Sequence, residues 1–517
     1  MASKTLFQTY RGSLLPQSDT VNSEGAPAYA FDARHALAQL AATGCLASTF
    51  YADGARQLDV ARELASQVDA GFLARTAVYA RQRGAMKDMP VLLLALLASR
   101  DVRWLKAAFP RVIDNGKMLR TFVQVMRSGA TGRKSLGSAP KRLVQDWLNA
   151  ADEKRLVDAC VGAAPSLADV VRMVHPKPVD AQHAAFYGWL IGKPYAVDAL
   201  PPRLLDFEHY KRDRTRELPD VPFQMLTALP LDSSAWATIA RQAGYQMVRM
   251  NLNSFARHGV FDVPGMTDVI VEKLTDGDVI RRARVQPYQL MTAYASASFR
   301  VPEAVKEALQ VALDLALEHV GAFEGRVAVC PDVSGSMQSA LTGRRRGATS
   351  VVRCVDVAAL VSAAILRRNR DAVVLPFERD VVKLALNPRD SVTTNAAKLA
   401  KVGGGGTNCS APISELLRTK TRVSLVVLVS DNESWVDAAG AGPTATMRAW
   451  TAYRAFNPSA RLVCIDLAPN TTTQAVDRQD VLNVGGFSDA VFDVVGRFAK
   501  GETGAGRWVE EIDSMEV

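Results

Sequence analysis

Cysteine and histidine, the side chains that most often form disulfides or hold zinc, are scarce in this sequence. Its 517 residues include only six of each. The cysteines form no CxxC pair, and the histidines do not pair at a spacing typical of metal ligands. These absences argue against a disulfide framework and a zinc site. The pattern favours buried free thiols in a reducing compartment, at Cys45, Cys160, Cys330, Cys354, Cys409 and Cys464.

Long apolar stretches are also missing. The run Pro90–Leu97 is too short to cross a bilayer, and Met1–Thr5 lacks the apolar core of a signal peptide. We therefore predict a core helix at Pro90–Leu97, no membrane association and a cytoplasmic location.

Acidic residues are outnumbered by basic ones. The formal net charge is +9 and the sequence pI is about 9.2. A basic protein attracts polyanions, most often nucleic acid, although a basic bias spread over the surface for solubility is the alternative. A chain of this length is too long for one hydrophobic core and predicts two or three domains.

The hydrophobic pattern changes along the chain. Residues 1–31 are polar and turn-rich and predict an extended N-terminal arm. Residues 32–321 are helical in pattern and predict an irregular HEAT-like array. Residues 322–500 alternate strands with helices and predict a doubly wound, Rossmann-like domain. Residues 501–517 form an acidic tail, either loose or docked. The predicted fold class is therefore α plus α/β.

Oxygen-bearing side chains follow two predicted strands and a glycine run in the second domain. Asp332, Ser334 and Ser336 stand at alternate positions after an apolar strand. Thr407 follows four glycines, and Asp431 follows a second apolar strand. Parallel strands bind ligands at their carboxyl ends, and oxygen donors suit a hard cation. We predict a divalent cation site, most favourable for Mg²⁺, with Ca²⁺ or Mn²⁺ as other candidates.

This set of residues resembles the metal-ion-dependent adhesion site of von Willebrand factor A (vWA) domains. The match covers Asp332, Ser334, Ser336, Thr407 and Asp431, in the order that the family has them. The resemblance implies a cation with an open coordination position that the carboxylate of a partner protein can complete. The alternative is a vWA fold whose site has no function.

Four further segments widen the resemblance. Gly132–Pro140, followed by Trp147, and then Val170–Pro178 and Pro287–Leu290 resemble signatures of the TROVE domain of Ro autoantigen proteins. Ser430–Glu433 resembles the vWA half of the same proteins. On these motifs the chain is identified as a bacterial member of the Ro (Ro sixty-related) family.

The Ro resemblance implies a ring of helical repeats next to the vWA domain. It also implies binding of Y RNA on the outer ring surface and of single-stranded RNA 3′ ends in the central hole. The expected function is a non-catalytic RNA-binding scaffold for quality control or degradation of noncoding and misfolded RNA. An exoribonuclease such as polynucleotide phosphorylase is the expected protein partner. We expect a monomer without DNA specificity.

The candidate RNA-binding residues are side chains that can contact phosphates or bases. They are Arg133, Lys134, Ser135, Ser138, Lys141, Arg142, Arg172, His175, Lys177, Lys211, Arg212, Arg249, Asn253 and Arg257. Each group has a plainer interpretation. The first six could form a solvated helix start, His175 could cap its own helix, and the basic run after Tyr210 could simply face solvent.

One segment departs from the family pattern. The Ro family implies basic residues for Y RNA binding just before the histidine motif, but here residues 157–164 are small or acidic. This departure bears on the binding of Y RNA at the outer ring surface more than on the binding of single-stranded RNA in the central hole.

Two other functions remain open from the sequence. The first is a protein-interaction module made of a vWA domain and an α-solenoid, without RNA. The second is a metal-dependent nuclease, for which Asp332 and Asp431 supply fewer carboxylates than a two-metal centre usually has.

Overall fold

The computed structural model describes residues 15–47, 50–283, 285, 287–317, 322–341, 352–438, 440, 442–502 and 507–517. The chain forms two units, each built from two separate stretches. One joins Met1–Gln57 to His319–Glu511, and the other joins Leu58–Glu318 to Ile512–Val517. The units therefore differ from the predicted boundaries after residues 31 and 500. The predicted boundary after residue 321 falls next to residues 318–321, which lie outside the described residues.

The first described elements are a short hairpin and a helix. They are β1 (Thr20–Val21), β2 (Pro27–Ala30) and α1 (Ala33–Thr43). The Asn22 side chain closes the hairpin by accepting the backbone N–H groups of Glu24 and Ala26 at 3.1 and 2.9 Å. Gly25 completes the turn with φ +74°, a conformation that glycine adopts without strain. Helix α1 begins where the Asp32 carboxylate accepts the His35 N–H at 2.8 Å.

The helical unit is a succession of α-helices with short connections. Its helices, the first of which starts just before the unit, are α2 (Gly54–Gln67), α3 (Ala70–Gln82), α4 (Asp88–Leu97), α5 (Val102–Val112), α6 (Gly116–Arg127), α7 (Ser138–Ala150), α8 (Glu153–Ala159), α9 (Leu167–Val174), α10 (Ala181–Ile191), α11 (Pro202–Arg212), α12 (Phe223–Leu226), α13 (Ser233–Gln242), α14 (Tyr245–Arg257), α15 (Met266–Thr275), α16 (Gly277–Arg282), α17 (Pro287–Ser296) and α18 (Glu303–Ala316).

Local sequence explains where many of these helices begin, and packing explains their order. The Asp69 carboxylate accepts the Phe72 N–H at 2.8 Å, and the Asn115 side chain accepts the Met118 N–H at 3.0 Å. Such caps stabilise a helix by about 1 kcal/mol. Helix α4 is apolar on every side and packs among α3, α5 and α6. Because helices pack on near neighbours in the chain, the predicted helical array is confirmed.

The other unit contains the α/β part of the chain. Its remaining elements are β3 (Val327–Pro331), α19 (Cys354–Arg368), β4 (Val373–Val374), α20 (Val392–Leu399), α21 (Ala411–Arg418), β5 (Leu425–Ser430), α22 (Ala445–Phe456), β6 (Arg461–Asp466), β7 (Thr472–Thr473), β8 (Val481–Gly485), α23 (Asp489–Ala499) and α24 (Arg507–Asp513).

Parallel pairing organises the main sheet of this unit. The strand order is β4-β3-β5-β6-β8, and every neighbouring pair is parallel. Strands β3 and β5 are buried along their whole length, as expected for a sheet covered on both faces. Since the chain runs from β3 outward to β4 and then back to β5, the order reverses between β3 and β5. Ligands bind at such a switch point in open α/β sheets. The predicted doubly wound domain is confirmed.

The N-terminal hairpin belongs to the same unit. Strand β2 pairs antiparallel with β7, with Tyr29 opposite Thr473. The Tyr29 side chain lies in the same hydrophobic cluster as Trp450 and Tyr453 of α22. Burial of such aromatic side chains contributes about 2–3 kcal/mol each. This packing is why residues before 32 group with the α/β part.

The acidic tail is docked rather than loose. Trp508 in α24 is buried and meets the His35 ring edge-on at a centroid distance of 5.4 Å. In the same unit, Arg497 donates to Glu511 at 2.5 Å. Of the two alternatives left by the sequence, docking is the one observed.

Candidate functional sites

Two aspartates meet at the switch point of the parallel sheet. Asp332 follows β3 and Asp431 follows β5, and the register sets Pro331 opposite Val429. The Asp332 N–H donates to the Val429 carbonyl at 2.9 Å, which continues the ladder up to the first carboxylate. Asp332 is 0% exposed and Asp431 is 3% exposed. The carboxyl ends of adjacent parallel strands thus bring together two acids that are distant in sequence.

Hydroxyl groups surround the two carboxylates. The Ser334 and Ser336 Oγ atoms lie 3.2 Å apart, and the Ser334 N–H donates to Asp332 Oδ1 at 2.9 Å. Burial raises the pKa of Asp431, and the Ser336 hydroxyl opposes that shift. Ser430, which the sequence analysis did not single out as a site residue, donates to Asp332 Oδ2 at 2.6 Å. The three predicted oxygens after β3 therefore lie with Asp431 in one buried cluster.

The glycine run carries Thr407 to the same edge. The Gly404 N–H donates to the Val333 carbonyl, and the Gly335 N–H donates to the Gly405 carbonyl, both at 2.8 Å. Gly403 has φ +86°, and a Cβ there would collide with the Val333 carbonyl. Thr407 is 5% exposed. Its carbonyl accepts the N–H of Trp435, in the loop that follows β5, at 3.1 Å. The glycines are needed because two backbones approach each other closely here.

The electrostatics of this cluster favour a bound cation. Burial, reinforced by the nearby charge of Asp431, raises the pKa of Asp332 to about 7. Burial also raises the pKa of Asp431. The groups that counter these shifts are serine hydroxyls and backbone N–H groups rather than cationic side chains. Two buried acids so close together are costly unless a cation balances them.

The donor set fits a hard divalent cation. All five predicted ligands, Asp332, Ser334, Ser336, Thr407 and Asp431, offer oxygen, which Mg²⁺, Ca²⁺ and Mn²⁺ prefer. Among the described residues, no group of three or more His, Cys, Asp and Glu side chains is arranged to hold a metal. Any cation held here must therefore rely on the hydroxyls as well as the two carboxylates.

The first group of predicted RNA-binding residues lies at the start of α7. Lys134, Ser135, Ser138 and Arg142 are exposed, and Lys141 is half-buried. Gly137, with φ +75°, precedes the helix, and no side chain caps it. Its first N–H groups therefore remain available to an acceptor. Phosphate oxygens suit exposed hydroxyls, cations and helix N–H groups of this kind.

Arg133 is different from the other residues of this group. Its guanidinium donates to the Ala98 carbonyl at 3.2 Å and lies against Gly137. It therefore supports the loop before α7, and it is the weakest of the six as an RNA contact.

The second group is joined to the first by side chains of α7. Gln145 donates to the Val174 carbonyl at 2.6 Å and to the His175 carbonyl at 3.3 Å. Asn149 donates to the Lys177 carbonyl at 2.9 Å. His175 ends α9 in the left-handed conformation, with φ +49°, and its side chain is exposed, as is that of Lys177.

These contacts create one surface from two motifs. Arg142 lies one helical turn before Gln145, so it shares the face of α7 that contacts His175. We call Lys134, Ser135, Ser138, Arg142, His175 and Lys177 the α7–α9 surface. Arg172 is exposed at its edge, where it donates to the Ile191 carbonyl at 3.1 Å and pairs with Asp169 at 3.7 Å.

The basic run after Tyr210 is partly neutralised by its own neighbours. Lys211 pairs with Glu208 at 2.5 Å and lies over the Phe207 ring at 5.2 Å. Arg212 is exposed at the end of α11. The cation of Lys211 is thus less available to phosphate than its position in the sequence suggests.

In α14, two of the three predicted residues have structural contacts. Arg249 donates to Gln246 and to the Gln289 carbonyl, and burial lowers its pKa. Asn253 donates to the Ser296 carbonyl at 2.8 Å and accepts the Ser298 N–H at 2.9 Å. Only Arg257 is exposed. Helix α14 packs with α13, α15 and α17.

Both parts of the chain resemble known proteins. A family model described as the Ro60 vWA domain matches residues 326–499. The protein named RNA-binding protein RO60 of Deinococcus radiodurans is 26% identical, and the alignment covers 94% of this chain and 96% of that protein. The crystal structure of the D. radiodurans RO (RSR) protein has a TM-score of 0.62 at 25% identity, covering 91% of this chain and 100% of that one. The chain is thus similar to Ro proteins over nearly its whole length.

A more distant relative shares part of the chain. The protein named RNA-binding protein RO60 of Caenorhabditis elegans is 23% identical over 46% of this chain and 37% of that protein. The resemblance to Ro proteins predicted from the TROVE-like and vWA motifs is confirmed.

The segment that departs from the pattern expected of Ro proteins borders a buried arginine. The Arg120 guanidinium donates to the carbonyls of Val161, Pro165 and, at 3.3 Å, Gly116. Gly162 has φ +122°, and a Cβ there would collide with the guanidinium. Val161 and Gly162 thus border this guanidinium, and the positive charge next to the segment is buried.

Two residues with functional potential escaped the sequence analysis. Phe299 is 87% exposed, and the Arg300 guanidinium lies 5.7 Å from its ring. Asp466, at the end of β6, is buried and accepts a hydrogen bond from the side chain of Asn432, the residue after Asp431. Asp466 could have been identified from its position at the end of a predicted strand, as Asp332 and Asp431 were. The exposure of Phe299 depends on packing.

Within the described residues, no helix combines the length and apolar character needed to span a membrane.

Proposed function

We propose that this chain is an RNA-binding Ro protein. It binds Y RNA and the single-stranded 3′ ends of noncoding or misfolded RNA, and it acts as a scaffold for RNA quality control or degradation. The observation that carries this proposal is the alignment with a protein named RNA-binding protein RO60 over nearly the whole length of both chains. The net charge of +9 supports it, because nucleic acids are polyanions.

The α7–α9 surface is the proposed site of phosphate contact in the helical unit. Lys134, Arg142 and Lys177 bring exposed cations, and Ser135 and Ser138 bring exposed hydroxyls. His175 adds an exposed ring that can stack on a base or bond to a phosphate. Contacts to phosphate carry little sequence information, so this surface would hold RNA by its backbone.

Filter binding of a single-stranded RNA across a salt series tests this function. The double variant Lys134→Ala/Arg142→Ala should bind more weakly, and its slope of log affinity against log salt should fall by about 0.7 for each lost phosphate contact. The matched control is Lys383→Ala/Lys401→Ala, which removes two exposed cations from the α/β unit. Absence of RNA binding by the parent chain, or a flat salt response, would contradict the proposal.

We further propose that the α/β unit holds a divalent cation, most favourably Mg²⁺, with Asp332, Ser334, Ser336, Thr407 and Asp431 as ligands. The cation would leave a position for an acidic side chain of a partner protein, and an exoribonuclease such as polynucleotide phosphorylase is the proposed partner. The buried, oxygen-only cluster and its two acids with raised pKa support this assignment.

The proposed role of this cation is docking rather than catalysis. Incubation of RNA with the purified chain and Mg²⁺ should therefore yield no cleavage products, and Asp332→Ala should keep its RNA binding. Cleavage that disappears in Asp332→Ala would instead identify a metal-dependent nuclease.

A further inference from the structure

The starts of three parallel strands meet at one edge of the main sheet, opposite the edge that carries Asp332 and Asp431. The Ser424 N–H donates to the Arg326 carbonyl at 2.8 Å, and the Arg461 N–H donates to the Ser424 carbonyl at 3.0 Å. These bonds place Arg326, just before β3, and Arg461, the first residue of β6, on either side of the chain that leads into β5. Since neighbouring strands lie about 4.8 Å apart, arginines distant in sequence stand close together at this edge.

Aromatic rings and a backbone carbonyl hold two of the arginine side chains at this edge. The Arg422 guanidinium lies 4.5 Å from the centre of the Phe456 ring. The Arg461 guanidinium lies 5.2 Å from the centre of the Phe498 ring and donates to the Gln479 carbonyl at 3.1 Å. Rings and carbonyls orient a guanidinium but carry no net charge, so the positive charge is not neutralised. We call Arg326, Arg422 and Arg461 the strand-start arginines.

The strand-start arginines differ from other arginines of the same unit. In the last turns of α21 and α22, Arg418 pairs with Glu415 at 2.6 Å and Arg454 pairs with Asp480 at 3.1 Å. Cations in such turns also stabilise the helix dipole. The strand-start arginines belong to no helix, and within the described part of the chain none of them forms an ion pair with a carboxylate. Neither ion pairing nor helix capping therefore accounts for their charge.

Exposed cations flank the strand-start arginines. Arg326 Nε donates at 3.0 Å to the carbonyl of Asp371, which directly follows the exposed Arg370. Lys420, also exposed, stands two residues before Arg422. The same stretch of edge thus carries two cations in addition to the arginines that the strands position.

A further cation, Lys500, lies at the end of α23. It precedes Gly501, where a Cβ would lie 2.8 Å from the Arg461 guanidinium. We call the six cations together the amino-edge surface, and all of them except the half-buried Arg461 are exposed: Arg326, Arg370, Lys420, Arg422, Arg461 and Lys500. Among the described residues, the exposed acids nearest to them in sequence are Glu324, Asp371 and Glu502. Positive charge therefore prevails at this edge.

We propose that the amino-edge surface is a second RNA-binding surface of this chain, which holds the phosphate backbone of RNA. A guanidinium presents parallel N–H groups that match phosphate oxygens, and neighbouring cations suit a chain of phosphates. The contacts with rings and carbonyls orient the arginines before RNA binds, so less side-chain freedom is lost on binding. The inference rests on the RNA binding proposed above, and it adds a site in the α/β unit at the edge opposite the proposed cation ligands.

Fluorescence anisotropy of an RNA hairpin with a single-stranded 3′ extension, titrated with the full chain across a salt series, tests the inference. Arg326→Ala/Arg422→Ala should bind about five- to tenfold more weakly. Its slope of log affinity against log salt should fall by about 0.7–0.9 for each lost phosphate contact. Lys420→Ala/Lys500→Ala removes two exposed cations that lie outside the helices and strands, so it should weaken binding in the same way without loss of the fold.

The control is Lys383→Ala/Lys401→Ala, which removes two exposed cations elsewhere in the same unit and should bind like the parent. Parent-like affinity and salt slope in both edge variants, while Lys134→Ala/Arg142→Ala binds more weakly, would overturn the inference and leave the proposed function standing. A surface that serves an acidic protein instead would give this result. An equal loss in the control would also overturn the inference, because the effect would then follow net charge. No RNA binding by the parent would overturn both proposals.

Discussion

The two units hold their candidate side chains in opposite ways. The proposed cation ligands of the α/β unit are between 0% and 7% exposed and are tied to one another and to the backbone by hydrogen bonds. On the α7–α9 surface, the side chains of Lys134, Arg142 and Lys177 project into solvent, and only the backbone beneath them is fixed. Buried charges interact strongly and are screened little, whereas exposed charges act weakly and are screened by salt.

This difference suggests different ligands. A preformed, dry cluster of oxygens suits a small ion whose coordination is demanding. Adaptable cations at a surface suit a long polyanion, whose affinity comes from many weak contacts. The comparison predicts that substitution of one proposed cation ligand nearly abolishes cation binding. Substitution of one residue of the α7–α9 surface should weaken RNA binding only in part.

The largest expected effect is the loss of the cation. Asp332→Ala removes one of the two buried carboxylates and should lower Mn²⁺ affinity roughly a hundredfold. Calorimetry on the parent and the variant measures this loss. RNA affinity should change by less than about twofold, because the α7–α9 surface belongs to the other unit. A large loss of RNA binding would break the separation of roles between the units.

The buried guanidinium of Arg120, in the helical unit, should contribute to the stability of the fold. Arg120→Ala leaves three backbone carbonyls without their donor and should reduce the free energy of unfolding by about 3 kcal/mol. The exposed Arg142→Ala is the control and should stay within about 0.5 kcal/mol of the parent. Urea denaturation followed by circular dichroism gives both values. An equal loss of unfolding free energy in the two variants would show that exposure does not distinguish structural from functional arginines.

An exposed aromatic ring offers a test of graded RNA contact. Phe299→Ala should weaken binding of single-stranded RNA by about 1–3 kcal/mol, the usual contribution of one base stacked on an aromatic side chain. The salt slope should not change, because no cation is removed. Val311→Ala, another exposed apolar position, is the control. Unchanged affinity in fluorescence anisotropy would remove Phe299 from the RNA-binding surface.

The smallest effect is a pH dependence in the α/β unit. Burial alone would raise the pKa of Asp480, but hydrogen bonds from Arg478 and Trp450 outweigh it and lower the pKa below 3.8. Because the folded-state pKa is the lower one, the resulting stabilisation is complete above pH 3.8 and is lost as the pH falls through the folded-state value. Asp480→Asn should therefore lower the melting temperature at pH 6 and have less effect at pH 3. An equal effect at both values would contradict this account.

Much of the α/β unit could be predicted from local patterns. Short apolar runs identify buried parallel strands, and ligand positions follow at their carboxyl ends. Asp332 and Asp431 were predicted together for this reason, although they lie 99 positions apart in the chain. The helical unit was harder, because a basic residue on a helix can face solvent, a neighbouring helix or its own acidic neighbour. Arg249 and Asn253 were predicted as RNA contacts, yet both have structural partners.

The sequence by itself determined the fold class, the resemblance to Ro proteins and the oxygen donors of the proposed cation site, since these depend on periodicity and on residues next to strand ends. Only the tertiary structure decided which cations are exposed, that α7 and α9 share a surface, and that Arg120 is enclosed by residues 161–165. It also brought Asn22 and Ser23 of the N-terminal hairpin to Ser434 and Glu433, which lie more than 400 residues further along the chain. Such contacts arise from long-range packing, which no local pattern encodes.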